Sequence, residues 1–139
     1  MRAVLPSVTS VAALKKAVID KGGIEPLTKL LTSGDPLLRK GAVSALAALC
    51  EDKRARRRLI RIGGLDSLID DCMDSGTAPD RDILRLLGIL ALEERGREQL
   101  IKLGKLKLLL QIAKTEDVHC MRGVVEALDE IADNYYEWH

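Results

Sequence analysis

The sequence predicts an all-α fold, a solenoid of three-helix units, and three observations point to it. The pair Gly22-Gly23 returns as Gly63-Gly64 and again as Gly104-Lys105, a constant interval of 41 residues (63 − 22 and 104 − 63). Apolar residues recur at the same interval and fall three and four apart inside each copy, the spacing of one helix face. No segment sustains the period-two alternation of a half-buried strand. A period of this size describes units stacked side by side, and such a stack offers an extended face for a partner rather than a cavity for chemistry.

Taken in order, residues 1–13 read as a partial N-terminal helix or cap: positions 1–11 align with the second half of a third helix, 42–52, although Pro6 and nearby Ser and Thr weaken the pattern. Three repeats then occupy about 14–53, 54–94 and 95–133, followed by an aromatic tail at 134–139. The first helix of each copy ends on Val18-Ile19, Leu59-Ile60 or Leu100-Ile101 and stops at Gly22, Gly63 or Gly104, where glycine suits the left-handed residue that closes a helix. The second helix carries Ile24, Leu65 and Leu106, then Leu27, Leu68 and Leu109. The third opens at Asp35-Pro36 and at Asp117, each a carboxylate able to accept the orphan N–H groups of a first turn. In the middle copy Thr77-Ala78-Pro79-Asp80 serve as a capping-box variant. Its stripe is Ala42, Val43, Leu46 and Leu49, repeated as Ile83, Leu84, Leu87 and Leu90, and again as Val124, Val125, Leu128 and Ile131. With no unit before it, the first copy leaves its Leu14, Val18 and Ile19 side partly uncovered. The chain therefore reads as a segment of a longer protein, or as a small solenoid that self-associates or docks through that end.

Composition narrows the function classes. A chain of 139 residues buries roughly two thirds of its unfolded surface. Phenylalanine is absent, so the core is built from Leu, Ile, Val and Ala. Apolar residues at 47% beside charged residues at 31% suit amphipathic helices with solvated outer faces. A net charge of +1 gives no global pull toward nucleic acid or membrane. No apolar run approaches the ~18 residues of a membrane span, and residues 1–20 lack a secretory leader's profile. The reading is cytoplasmic, with the nucleus as the alternative compartment. Cys50 aligns with Ala91 and Ala132, and Cys72 with Leu31 and Ala113, so both read as small core residues. Cys120 aligns with Leu38 and Pro79 near a helix start, and no Cys/His spacing suits zinc, so neither a metal nor another cofactor is expected. His119 beside Cys120 does not make a catalytic pair: neighbours on a helix diverge by about 100°, and no orienting acid accompanies them. No catalytic residue is assigned, and the chain is not read as an enzyme.

The first copy also carries a recognisable signature. It runs Val18-Ile19-Asp20-Lys21-Gly22-Gly23-Ile24-Glu25-Pro26-Leu27, continues through Leu30-Leu31-Thr32-Ser33-Gly34-Asp35, and ends on the Ala42 to Leu49 helix. It resembles the armadillo repeat; the other two copies are looser, and together they cover residues 14–133. HEAT repeats are similar in length but use two helices, and the glycine break after a short helix favours armadillo. The resemblance implies a right-handed superhelix whose third helices line a concave groove, an interaction module that binds extended peptides or protein segments, and no catalytic activity. Importin-like members place a ligand-clamping asparagine and a tryptophan on that groove. Here the asparagine positions hold Ala48, Ile89 and Glu130, and the tryptophan positions hold Ser44, Arg85 and Glu126, which argues against nuclear-localisation-signal recognition.

Three surfaces are candidates for a partner. The groove carries Lys40, Arg81 and Arg122 at one repeat position, a cation row with a pitch of roughly 8–10 Å, widened by Arg85 one turn on, where the first copy has Ser44. An acidic segment suits that row, while Glu126, four residues after Arg122, is placed to offset it. The stretch 53–61 holds six cations and no anion, among them Arg54, Arg56, Arg57, Arg58 and Arg61. Phosphates are the alternative ligand there, but no aromatics interleave for base stacking, so nucleic acid is disfavoured. The tail, with Tyr135, Tyr136 and Trp138, is either a cap on the last helix or a set of anchors for another chain. Protein binding as a scaffold or adaptor is the leading function. The alternatives are a nucleic-acid-associated module acting through the basic 53–61 run and an oligomerisation or regulatory domain of a larger protein.

Overall fold

A computed structural model describes residues 8–72 and 81–102, together with positions 114, 121, 122, 125, 126, 128 and 129. The expected sites at Thr77 to Asp80, Gly104, Asp117, His119, Cys120, Tyr135, Tyr136 and Trp138 lie outside these residues. The described elements are α1 (Val8–Asp20), α2 (Ile24–Leu30), α3 (Pro36–Leu49), α4 (Lys53–Arg61), α5 (Gly64–Cys72), α6 (Arg81–Leu90) and α7 (Glu94–Lys102). Among the described residues there is no strand. Two successive trios, α1 to α3 and α4 to α6, follow one another and α7 opens a third; the expected short first helix is seen in α4, with 9 residues, whereas α1, with 13, is nearly as long as the 14-residue α3. α1 begins at Val8 and continues unbroken through position 14.

Among the described residues, α1 and α4 end as their glycines dictate. Gly22 and Gly63 have φ of +78° and +85°, a region where a Cβ would collide with the following carbonyl. In that conformation the chain folds back on the helix end: Gly22 N–H donates to Ile19 O at 3.1 Å and Gly23 N–H to Val18 O at 2.9 Å, the paired bonds of a Schellman close. Gly63 N–H makes the same bond to Ile60 O at 3.2 Å. Asp35 opens α3 as expected, its Oδ1 accepting from Leu37 N–H at 2.9 Å with Pro36 preset for the first turn.

The stripes pack as their periodicity requires. Ala42, Val43, Leu46 and Leu49 of α3 and Ile83, Leu84, Leu87 and Leu90 of α6 are all buried in one cluster, with α3 lying against α6. α2 packs on α3 and α4, and α5 on α4 and α6, so the short helices close the core behind the long ones. Cys50 is fully buried at the end of the α3 stripe, and burial pushes its thiol pKa up to about 12. That is the inert small hydrophobe the alignment with Ala91 implies.

Candidate binding surface

With its apolar stripe turned inward, α3 keeps its other side in water, whereas α6 is buried from Ile83 onward except at half-buried Arg85. Lys40 and Ser44 on α3 are exposed, as are Arg81 at the start of α6 and Arg122 in the third repeat. Arg85, one turn after Arg81, is half-buried, and its Nη2 lies 3.4 Å from Glu51 Oε1 at the end of α3. Glu126 is engaged elsewhere than with Arg122: its Oε2 accepts from Arg97 Nη1 of α7 at 2.8 Å.

The basic run is anchored on carboxylates from distant parts of the chain. Arg54 donates to Asp20 Oδ1 at 2.8 Å and pairs with Asp52 at 3.3 Å. Arg58 pairs with Glu25 of α2. Arg56 Nε meets Glu93 Oε1 at 3.1 Å and Arg57 Nε meets Glu93 Oε2 at 3.3 Å, so one carboxylate at the end of α6 holds two guanidinium groups. Asp52, which caps α4 by accepting from Arg54 N–H at 2.8 Å, is held below the usual carboxylate range by that backbone bond and by the Arg54 side chain. Arg61 is exposed and lines a surface hollow with Asp20, Glu25, Arg54 and Arg58. A run that is uniformly cationic in sequence is therefore, in three dimensions, an ion-pair mesh.

One repeated device was missed by the sequence reading. Arg56 Nη1 donates to Cys50 O at 3.2 Å and Glu51 O at 3.0 Å, and Arg97 Nη1 donates to Ala91 O and Leu92 O, both at 3.1 Å. The two arginines occupy the same repeat position. Each holds the orphan carbonyls and negative dipole end of the long helix before it and also binds a carboxylate, Arg56 through its Nε and Arg97 through the same Nη1. The signal was available as an arginine recurring at the repeat interval. In the first copy the position is Lys15, which pairs with Glu51 at 3.5 Å.

These arginines form the floor of a cleft of about 630 Å³ between the ends of the long helices and the starts of α4 and α7. Its lining mixes Lys53, Arg56, Arg57, Arg97 and Arg122 with Glu51, Glu93, Glu94 and Glu126. The cleft thus joins Arg122 and Glu126 of the expected groove to Arg56 and Arg57 of the expected basic patch. Lys40, Ser44 and Arg81 do not line it. Among the described residues, no group of three or more His, Cys, Asp or Glu is placed to hold a metal ion. Among the same residues, no helix is long and apolar enough to cross a membrane.

Residues 12–51 match the armadillo/beta-catenin-like repeat, the segment where the glycine close, the Asp35 cap and the α3 stripe are all present. Among solved structures, the crystal structure of an engineered protein is similar to this chain, at 26% identity and a TM-score of 0.63, the match covering 86% of this chain and 49% of that one. The fold is that of armadillo-type helical repeats. This chain spans about half the length of the engineered protein. Armadillo repeats generally mediate protein–protein interactions, and the armadillo helical fold is typically non-catalytic.

Proposed function

We propose that this chain is a protein-binding scaffold or adaptor that holds an extended, acidic partner segment along the face of its long helices. The observation that carries the reading is that Lys40, Arg81 and Arg122, one repeat position in three copies, are all exposed. Three cations at stacked positions match carboxylates spaced along an extended chain, through charge-assisted bonds that weaken as salt rises. Each exposed contact is worth no more than about 1 kcal/mol, so affinity comes from the row acting together. The cytoplasm is the compartment this reading assigns, with the nucleus as its alternative. Phosphate binding through the basic run is disfavoured, since Arg54, Arg56, Arg57 and Arg58 already have carboxylate partners. The test is fluorescence anisotropy with a labelled glutamate-rich peptide and a lysine-rich control at two salt concentrations. The acidic peptide alone binds, more weakly at high salt, and Lys40→Glu with Arg81→Glu abolishes binding while Arg57→Glu leaves it. Loss with Arg57→Glu and not with the groove pair refutes the groove.

A second reading, self-association through the ends of the stack, is favoured by the exposure of Val11, Leu14 and Val18 along α1.

A further inference from the structure

The two ends of the stack expose opposite halves of one repeat-to-repeat junction. On α1, Val11, Leu14 and Val18 form a stripe open to solvent, Leu14 being 63% exposed. The residues at the Leu14 position in later repeats are Ala55 and Gly96, and at the Val18 position Leu59 and Leu100; all four are buried. A preceding repeat covers them there: α2 packs on α4, and a side chain at Gly96 would meet Leu90 and Ile60. At the other end, Val125 is 53% exposed and Leu128 is also open. Their equivalents, Val43 and Leu84, and Leu46 and Leu87, are buried, with α3 lying against the α6 of the following repeat.

Charge decides which ends meet. Lys16 is exposed beside the α1 stripe, and Asp129 is exposed beside Val125 and Leu128, at the repeat position where Ala47 and Gly88 are buried. Two α1 faces brought together oppose lysine with lysine, whereas an α1 face against the C-terminal face opposes lysine with aspartate. We propose that a second copy of this chain docks its Val125/Leu128 face on α1, continuing the stack across the molecular boundary with the same kind of junction that joins repeats inside it. The contact is heterologous and head-to-tail, so it leaves both outer ends open and extends with concentration instead of closing as a dimer. It specifies the self-association reading and uses residues separate from the cation row.

The test is sedimentation of the full chain across the micromolar to millimolar range, with Leu14→Glu and Leu128→Glu. The unaltered chain shows a mass that rises with concentration, and each variant alone is monomeric, its association at least tenfold weaker. Mixed, the two variants form a one-to-one complex and nothing larger, because each keeps the face the other lacks. Both positions are exposed, and thermal melting followed by circular dichroism verifies that the variants fold. Should Leu14→Glu not fold, Lys16→Asp takes its place, and Lys16→Asp with Asp129→Lys in one chain restores association. An unaltered chain that stays monomeric overturns the contact and the self-association reading together. Dimers of Leu128→Glu alone overturn the head-to-tail contact while leaving self-association standing, and a mixture that does not associate also overturns it.

Discussion

Arg56 and Arg54 stand two residues apart in the same basic run, and replacing each by alanine separates structural from surface charge. The side chains of Arg56 and Glu93 are only 13% and 12% exposed. Arg56 reaches Glu93 at 3.1 Å and the Cys50 and Glu51 carbonyls at 3.2 and 3.0 Å. A hydrogen bond to a charged partner contributes about 1.5–3 kcal/mol net, and leaving a shielded acceptor unmatched adds to the loss. Water and Arg57 recover part of it, so Arg56→Ala destabilises by about 2–4 kcal/mol, and Arg56→Lys, which keeps the charge but not the planar fork, by about half that. Arg54 pairs with Asp20 and Asp52 at the solvent boundary, more than half of its side chain exposed, so Arg54→Ala changes stability by less than experimental error. Urea denaturation followed by circular dichroism measures both, and a double-mutant cycle of Arg56→Ala with Glu93→Gln isolates the pair. Equal losses at the two positions would show that the run is not organised as an ion-pair mesh with Arg56 at its centre.

A side chain at Gly96 meets the Leu90 carbonyl backbone and Ile60 Cδ1, so the helix propensity alanine adds, up to about 1 kcal/mol, is outweighed and Gly96→Ala lowers stability by about 1–2 kcal/mol, read from the urea midpoint. Cys50, fully buried with its pKa near 12, does not react with a thiol reagent in the folded chain at neutral pH and reacts fully in denaturant. Asp52→Ala costs about 1 kcal/mol at neutral pH as a lost helix cap. Because the folded Asp52 carboxyl is held below its ordinary range, that contribution is complete above the unfolded value of about 3.9 and disappears as the pH falls through the folded value; chemical denaturation along a pH series shows the two chains converging.

Where sequence determined structure, it did so through local rules repeated in phase. The Gly22 and Gly63 closes, the Asp35 cap and the buried stripes of α3 and α6 each depend on residues within a few positions of one another, so spacing alone exposed them. The candidate surface was legible only in outline. Lys40, Ser44, Arg81 and Arg122 are exposed as the helical period implies, but the fate of the basic run depends on Asp20, Glu25 and Glu93, each more than thirty positions from the arginine it meets. Helix periodicity says which way a side chain leaves its helix and nothing about which charge waits there. The Asp52 cap was within reach of local reasoning, since an aspartate immediately before a helix has the same meaning there as at Asp35.

The double duty of Glu93 gives the cleft a built-in competitor. Its two oxygens already occupy the guanidinium groups of Arg56 and Arg57, as Glu126 occupies that of Arg97, so an anionic visitor does not enter a vacant charged socket but must evict a tethered rival. Weak or sparse negative charge loses that exchange to a carboxylate fixed to the same scaffold. Only a ligand that brings several charges at once, or one that settles on the long-helix row outside the cleft, escapes it.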